Sequence, residues 1–494
     1  MRIANKIILA LLAALLLGEA SFSLQWPIAH DEAPLFYEAF LMRSEGRIPY
    51  RDIFDFQMPG SYAAYYWLGV FSGFDDFHIR LLDLLLLITL IAVTFTSMRR
   101  FGWMPALAAG LLFGLKYLEG GPSMSLQREY LLLIFISIAL WVVLQDKLTP
   151  ARRAWIGFFF GLAATIKPHA AIGLIPILLF DITGTVKSHR LTPLNAALKS
   201  GLPSLGGFLL PVIGVITWLG FTGGLSPFID IVKNYWPLYA QINGEMVVNA
   251  GARRWLFILD QLWHLGGNGW WILPAGVGVY YASRQEHLRK PVYLLIGLAI
   301  SYALYPAFSG QFFPYHWLPF LYFMILLSAL CLAEVKWQTS LVLLLVILLS
   351  VRVPNAIFRQ IEGGPIGTAG SRANQIKLYL ANHLDEGDMV QPLDWTGGTL
   401  LAMLETRAHM ATPFVFDFYF YHHVSEPYIQ NLRMKFINDL QRSIPRFIVE
   451  VTAMDKPWVS GEDTSREFPE LRAFLAENYS ITIQKDDYVI YERR

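Results

Sequence analysis

The sequence has 494 residues, of which 55% are hydrophobic and 16% are charged, and its mean hydropathy is +0.42. Soluble globular proteins carry about 25% charged residues, so this composition indicates a polytopic membrane protein. The formal net charge of +1 gives no basis for nucleic-acid binding. A single cysteine, Cys331, excludes an intrachain disulfide, and the sequence has no Cys/His cluster of the metal-binding type.

Apolar segments follow one another from the N-terminus to about residue 350. The first, residues 7–24, follows Arg2 and Lys6 and can be a signal peptide or an uncleaved anchor, the anchor being simpler because more spans follow. In the long loop 25–78, residues 60–73 are short for a span and predict an interfacial or partly embedded helix. The remaining segments bring the predicted spans to about eleven: 80–98, 104–117, 129–145, 153–167, 169–183, 201–222, 262–283, 291–308, 316–333 and 338–352.

The distribution of basic residues predicts the orientation of the chain. If the N-terminus is cytoplasmic, the loops on that side are short and basic, and the longer loops opposite carry fewer basic residues. This arrangement places loop 25–78 and residues 353–494 outside the cytoplasm. We therefore expect an integral protein of the bacterial inner (plasma) membrane, with a periplasmic or extracellular C-terminal part.

Residues 353–494 are more polar than the rest and show both helix and strand patterns. We expect a helix at 374–385, a strand at 389–393, a strand at 446–451, a helix at 467–478 and paired strands near 480–491. A glycine- and proline-rich stretch at 363–367 is typical of a linker. The sequence thus predicts a transmembrane domain over 1–352 and an α/β domain over 353–494.

Two adjacent acids, Asp31 and Glu32, open loop 25–78, and Tyr37, Arg51 and Asp52 follow them. The two acids can be a solvated pair at the membrane surface. Alternatively, one of them can be a general base, because a carboxylate shielded by membrane and aromatic rings can be tuned for proton transfer. Adjacent side chains point in different directions, so we expect only one base.

Three more motifs lie at the predicted outer ends of spans. They are Gln127-Arg128-Glu129, Lys167-Pro168-His169 and the aromatic turn that contains Tyr315-His316. Each has a structural interpretation as a snorkelling side chain or an interfacial aromatic belt. Each also suits a phosphate site, because a guanidinium can meet two phosphate oxygens and a lysine in the hydrophobic zone is usually functional. No glycine-rich nucleotide loop is present, which favours a lipid-linked phosphate.

The pattern of loop 25–78 resembles the first extracytoplasmic loop of the GT-C membrane glycosyltransferases. That superfamily includes the protein O-mannosyltransferases and the lipid A aminoarabinose transferases. The resemblance covers residues 1–350 in the number and placement of spans, and it is specific at residue level only in this loop. It implies a membrane all-α fold, and transfer of a sugar from a polyprenyl-phosphate donor to an extracytoplasmic lipid, glycan or protein acceptor.

The resemblance also implies a role for each candidate residue. Asp31 would be the general base, with Glu32 as the second candidate. The donor phosphate would be bound by Arg128, Lys167, Tyr315 and His316, and substrate contacts would come from Glu129, Tyr37, Arg51 and Asp52. No cofactor is required; a divalent cation at Asp31 is compatible with the sequence, although nothing indicates one.

Two other functions stay open at this point. A transporter or flippase of lipid-linked saccharides would place its charges near mid-membrane in broken helices, whereas the strong charges here gather at one face. A non-catalytic scaffold for envelope assembly would use the C-terminal domain as a binding module. The one-sided clustering of acids, basic residues and aromatics favours the enzyme over both.

Overall fold

A computed structural model of the protein describes residues 2–145, 147–333 and 368–494. The chain is helical up to residue 333 and mixed α/β from residue 368. The predicted span at 338–352, the predicted linker at 363–367 and the predicted domain boundary at 352/353 lie outside the described residues.

Helices make up nearly all the regular structure before residue 333. They are α1 (Arg2–Ser23), α2 (Glu32–Ser44), α3 (Pro59–Ser72), α4 (Asp76–Met98), α5 (Trp103–Glu119), α6 (Arg128–Val143), α7 (Pro150–Ile166), α8 (Leu174–His189), α9 (Pro193–Thr222), α10 (Leu225–Asp230), α11 (Trp236–Tyr239), α12 (Gly251–His264), α13 (Ile272–Ser283), α14 (Glu286–Ala303), α15 (Tyr305–Ser309) and α16 (Leu318–Ala329). Short 3-10 turns, Pro168–Gly173 and Pro314–Trp317, lead into α8 and α16.

Six helical segments of the described chain are long and apolar enough to cross a membrane. They are Lys6–Ser23, Asp76–Phe101, Pro168–Ser188, Pro193–Thr222, Glu286–Ser309 and Pro314–Leu332. The protein is therefore an integral membrane protein. Helices α5, α6 and α7, also predicted as spans, have 17, 16 and 17 residues. At 1.5 Å per residue they reach about 25 Å, less than the hydrocarbon thickness of about 30 Å, so the count of eleven stays a prediction.

The helix predicted within loop 25–78 is α3, and its ends follow from local chemistry. Pro59 occupies the first helical position, where its fixed φ suits a helix and its missing N–H costs nothing. Gly73 ends the helix in a left-handed conformation with φ +65°. The helix has 14 residues, too few to span a bilayer.

Helix α16 lies at the centre of the bundle and α9 at its edge. Every residue of α16 is buried, whereas α9 buries only Ala196, Ser200, Ser204 and Leu219. The apolar side chains that α9 exposes are suited to contact lipid. Helix α9 crosses α7 closely, because a Cβ on Gly157 would overlap the Ser204 carbonyl and a Cβ on Gly207 would overlap the Ala154 carbonyl. Such small-residue crossings are typical of membrane helices.

The C-terminal part is a five-stranded sheet flanked by helices. Its strands are β2 (Met389–Leu393), β3 (His409–Met410), β4 (Phe447–Val451), β6 (Tyr479–Gln484) and β7 (Tyr488–Arg493), in the order β3-β2-β4-β7-β6. Its helices are α17 (Thr368–His383), α18 (Thr399–Thr406), α19 (Pro427–Ser443) and α20 (Pro469–Asn478). Strands β2, β3 and β4 run parallel, so their carboxyl ends meet at one edge of the sheet.

The C-terminal part docks on loop 25–78 through buried hydrogen bonds. The Phe54 N–H donates to the Pro413 carbonyl at 2.7 Å. The Tyr419 hydroxyl donates to the Phe54 carbonyl at 3.0 Å and to Asp55 Oδ1 at 3.1 Å. Two more short strands, β1 (Val247–Val248) and β5 (Ser460–Gly461), pair in parallel across the same junction. These contacts hold the carboxyl edge of the sheet over the end of the helical bundle that carries loop 25–78.

Candidate active site

Asp31 lies at the turn that leads into α2, where three separate segments of the chain meet. Its Oδ2 accepts hydrogen bonds from Arg128 Nη2 at 2.6 Å and from the Tyr315 hydroxyl at 3.2 Å. Its Oδ1 lies 3.0 Å from His30 Nδ1. Arg128 opens α6, and Tyr315 belongs to the turn before α16. The carboxylate therefore joins loop 25–78 to two helices of the bundle.

A second ion pair continues this network into the bundle. Lys167 Nζ lies 2.6 Å from Glu129 Oε1 and 3.2 Å from His316 Nε2. The Tyr305 hydroxyl donates to the same Glu129 oxygen at 3.2 Å. Glu129 is fully buried, and the Lys167 side chain is 13% exposed. Lys167 reaches this position because α7 ends at Ile166 and the chain turns at Pro168, as the sequence pattern indicates.

The electrostatics of the site favour an ionised Asp31. Burial alone would raise the pKa of Asp31, but the nearby charges of His30, Arg128 and Lys167 outweigh it and hold that pKa below its ordinary value. The Asp31 carboxylate in turn raises the pKa of His30 above its ordinary value, against the effect of burial. Asp31 is thus an anion throughout the physiological pH range.

Two cavities meet at Arg128, the partner of Asp31. The larger, of about 520 Å³, is lined by Lys167, His169, His316, Trp236 and Phe308, together with Arg128 and Tyr315. The smaller, of about 100 Å³, is bordered by His30 and Asp31 on one side and by Trp395, Thr396, Phe416 and Pro457 of the C-terminal part on the other. Arg128 and Tyr315 line both cavities. We call the larger the lysine cavity and the smaller the aspartate cavity.

Comparison with solved structures identifies the architecture. No family model matches the sequence, and no curated protein aligns with it. The structure is similar to ArnT from Cupriavidus metallidurans bound to undecaprenyl phosphate, with a TM-score of 0.62 and 13% sequence identity over 98% of this chain and 97% of that one. The apo form of the same ArnT gives a TM-score of 0.59 and 14% identity, over 99% and 98% of the two chains. This chain has the GT-C fold.

The GT-C fold brings six of the ten predicted site residues together and leaves four apart. Those that assemble with Asp31 are Arg128, Glu129, Lys167, Tyr315 and His316. Glu32, Tyr37, Arg51 and Asp52 do not line either cavity. Their positions instead suggest structural roles.

Glu32 points away from Asp31 into a fully buried ion pair with Arg80. Arg80 Nη1 donates to Glu32 Oε1 at 2.7 Å and Nη2 donates to Oε2 at 2.6 Å, a bidentate pair. The Ala29 N–H also donates to Glu32 Oε2. The Arg80 guanidinium further contacts the Ser125 hydroxyl and the Trp26 carbonyl. The pair therefore anchors loop 25–78 to α4.

The other three residues hold the loop in place. The Tyr37 hydroxyl, fully buried, donates to the Ala408 carbonyl at 2.8 Å. Arg51 and Asp52 form an exposed pair at 2.7 Å, and Arg51 Nη1 donates to the Thr222 carbonyl at 2.8 Å. These contacts tie the loop to the C-terminal part and to α9.

Several site residues were not identified from the sequence. Gln57 accepts a hydrogen bond from Arg128, and Trp395 and Phe416 border the aspartate cavity. Trp395 lies two residues after the end of strand β2. Ligands of α/β sheets bind beyond the carboxyl ends of parallel strands, so the sequence position of Trp395 was a usable signal. The sequence contained no such signal for Gln57, because its role depends on a contact with α6.

No metal site can be assigned from the geometry. Among residues 2–145, 147–333 and 368–494, no group of three or more His, Cys, Asp or Glu side chains is placed to hold a metal ion. Both oxygens of Asp31 already contact protein groups. The expectation that no metal is required stays a prediction.

Proposed function

We propose that this protein is a membrane glycosyltransferase that moves a sugar from a polyprenyl-phosphate donor to an acceptor hydroxyl on the extracytoplasmic side of the bacterial inner membrane. One observation carries the proposal. An ionised carboxylate, Asp31, borders the smaller cavity and pairs with Arg128, and the cations Arg128 and Lys167 line the larger one. A base thus borders one cavity, and groups able to bind phosphate line the other.

The lysine cavity is the proposed donor site. Arg128 and Lys167 bind the phosphate, and His316, 3.2 Å from the lysine, supports it. Phosphate oxygens gain negative charge as the glycosidic bond breaks, so fixed cations stabilise the transition state more than the bound donor. Trp236 and Phe308 give the cavity an apolar wall for the isoprenoid. The similar ArnT structure is bound to undecaprenyl phosphate, which supports this assignment.

Asp31 is the proposed general base. As the acceptor oxygen forms its bond to the anomeric carbon, its proton moves to the Asp31 carboxylate. The bond between that carbon and the phosphate oxygen breaks, and the polyprenyl phosphate leaves with the electron pair, facing Arg128 and Lys167. Donor phosphate draws Arg128 away from Asp31, and this weakening of the pair raises the basicity of Asp31 when it is needed.

Glu129 has a positioning role in this scheme. Its carboxylate is fully buried and bonds to Lys167 and Tyr305, so it fixes the direction of the lysine ammonium. Tyr315 donates to Asp31 and borders both cavities. It therefore holds the base at the boundary between donor and acceptor.

The aspartate cavity is the proposed entrance for the acceptor. Its outer wall comes from Trp395 and Phe416, at the carboxyl edge of the C-terminal sheet. Aromatic faces pack well against the C–H faces of sugars and other amphipathic groups. We therefore propose that the C-terminal part selects the acceptor, and that an acceptor glycan or glycolipid packs on Trp395.

The test is donor consumption by the purified full-length protein in nanodiscs. Wild type and Asp31→Asn are compared with a panel of radiolabelled undecaprenyl-phosphate sugars, with a membrane extract as the acceptor source. Removing a general base typically lowers the rate about 10²- to 10⁴-fold, so donor consumption by Asp31→Asn is expected to be at least about a hundredfold slower than by the wild type. Asp260→Asn, an exposed acid on α12, is the matched control and should keep wild-type turnover. Equal turnover by wild type and Asp31→Asn would remove Asp31 from the chemistry.

A further inference from the structure

A second polar concavity lies at the far end of the bundle from Asp31. It has a volume of about 620 Å³ and is lined by the ends of α4, α6, α7, α8 and α14. Its charged side chains are Arg100, Lys147, Arg153, Asp181, His287 and Lys290. We call it the basic groove.

The helices themselves fix how far the basic groove lies from the candidate site. Helix α4 carries Arg80 near its first turn, and Arg100 follows its last turn. Twenty residues at 1.5 Å per residue separate the two by about 30 Å. Helix α6 likewise runs from Arg128 to Val143 in the groove wall. The groove is therefore a separate site, at the opposite membrane face.

Charge is unbalanced in the basic groove. Arg153 and Asp181 neutralise each other in a buried bidentate pair, with Arg153 Nε to Asp181 Oδ2 at 2.6 Å and Nη2 to Oδ1 at 2.9 Å. Arg153 Nη2 also donates to Thr185 at 3.0 Å. Among the described residues, Asp181 is the only acid that lines the groove. Lys147 and Lys290 therefore have no second acid opposite them among the described residues of the groove wall.

Apolar residues complete the wall of the basic groove. They are Val143, Leu148, Phe180 and Pro291. Two tryptophans near the same ends of the helices are exposed, Trp103 by 49% and Trp155 by 54%. Tryptophans concentrate where the hydrocarbon meets the headgroups. The groove therefore lies at headgroup depth and offers both cations and apolar surface.

We propose that the basic groove binds the phosphate headgroup of an acidic glycerophospholipid, such as phosphatidylglycerol or cardiolipin. Lys147 and Lys290 meet the phosphate oxygens, and Phe180 and Leu148 contact the first methylenes of an acyl chain. Basic pockets between membrane helices on the cytoplasmic side are suited to such headgroups. A free phosphate ion has the same charge but no group that would contact the apolar wall.

Gly184 offers a way to fill the basic groove without removing a charge. It lines the groove on α8, and a Cβ built on it meets nothing within 4 Å. Leucine is a better helix former than glycine, so Gly184→Leu should fold and project into the space that the lipid would use. Gly214, on α9, also has nothing within 4 Å of a built Cβ and does not line the groove, so Gly214→Leu is the matched control.

The experiment measures lipid binding to the full-length protein in a neutral detergent. Native mass spectrometry counts bound lipids, and thermal unfolding gives an affinity from titrations with phosphatidylglycerol or phosphatidylcholine. The proposal expects phosphatidylglycerol to bind and stabilise the wild type and Gly214→Leu. It expects Gly184→Leu to lose this binding. One interfacial charge changes affinity about fivefold, so Lys147→Gln with Lys290→Gln should weaken binding about thirtyfold.

Three results would overturn the proposal. The first is wild-type phosphatidylglycerol affinity in both Gly184→Leu and the double lysine variant, provided that their unfolding without lipid matches that of the wild type. The second is displacement of the lipid by inorganic phosphate or glycerol 3-phosphate at concentrations near that of the lipid, which would make the groove a site for a soluble phosphate. Titration with undecaprenyl phosphate is the third arm, and stronger binding of that lipid in the groove would also contradict the proposal.

Discussion

Glu32→Gln tests whether the two adjacent acids have different roles. In the structure Glu32 accepts two hydrogen bonds from Arg80, and both side chains are completely buried. The variant keeps one carbonyl oxygen but puts an amide NH2 group against a guanidinium. Arg80 then remains buried without its bidentate carboxylate partner, and the nearest acid left is Asp83, which Arg80 reaches through the Ser125 hydroxyl.

The size of the effect follows from this burial. Breaking a buried ion pair by removing one partner costs about 3–5 kcal/mol, and the free energy of unfolding should fall by about that amount. Replacing both partners with apolar residues of similar volume, Glu32→Leu with Arg80→Met, should restore part of it, because neither member of the pair is then left as an unpaired charge. Asp31→Asn should cost less, because the Asp31 side chain is 10% exposed and borders a cavity.

The assay combines denaturant unfolding in mixed micelles with donor turnover in nanodiscs. Glu32→Gln should unfold more easily, and its folded fraction should retain donor turnover at low temperature. Asp31→Asn should show the reverse, near-native stability with turnover lost. If Glu32→Gln is as stable as the wild type and inactive, then Glu32 is the base and the assignment made here is wrong.

Three further results are expected from the same site. Lys167→Gln removes one of the two phosphate-binding cations and should raise the donor KM at least about tenfold, measured from donor titrations. Trp395→Ala should lower acceptor-dependent turnover about tenfold, as the loss of about 1.5 kcal/mol of aromatic packing implies, with donor hydrolysis unchanged. The Asp31 carboxylate raises the pKa of His30, so protonated His30 stabilises the fold below pH 6.5, and this stabilisation is lost as pH rises through the raised pKa. When the free energy of unfolding is measured against pH, His30→Asn should lack this loss. The His30 side chain is 40% exposed, which keeps the effect small.

The sequence predicted those features of the structure that neighbouring residues in the chain determine. The end of α7 before Pro168 and the short helix after Pro59 follow from proline and glycine chemistry, and the structure has both. The acidic, basic and aromatic motifs at the outer ends of spans were also visible, and Arg128 and Lys167 do meet in one network with Asp31 and Glu129. The resemblance to the GT-C enzymes is confirmed at the level of the fold.

The sequence alone did not show that Asp31 and Glu32 have different partners and therefore different roles. Their difference comes from partners 97 and 48 residues away, Arg128 and Arg80, which only the packed bundle brings close. The same holds for Trp395, whose position over the site depends on the docking of the C-terminal part. The number of spans stays a prediction for a different reason, because hydropathy measures apolarity and does not show that α5 to α7 stop after 16 or 17 residues.

The charge balance around Asp31 explains how a carboxylate with a lowered pKa can serve as a base. The resting network contains two carboxylates, Asp31 and Glu129, and two cations, Arg128 and Lys167. Each cation is paired with a carboxylate, so Arg128 and Lys167 are held in place but partly neutralised before the donor binds. A donor phosphate competes with both carboxylates for the same cations. In the proposed reaction, donor binding would therefore weaken the ion pair that lowers the pKa of Asp31, and the proposed base would gain proton affinity only when a leaving group is present.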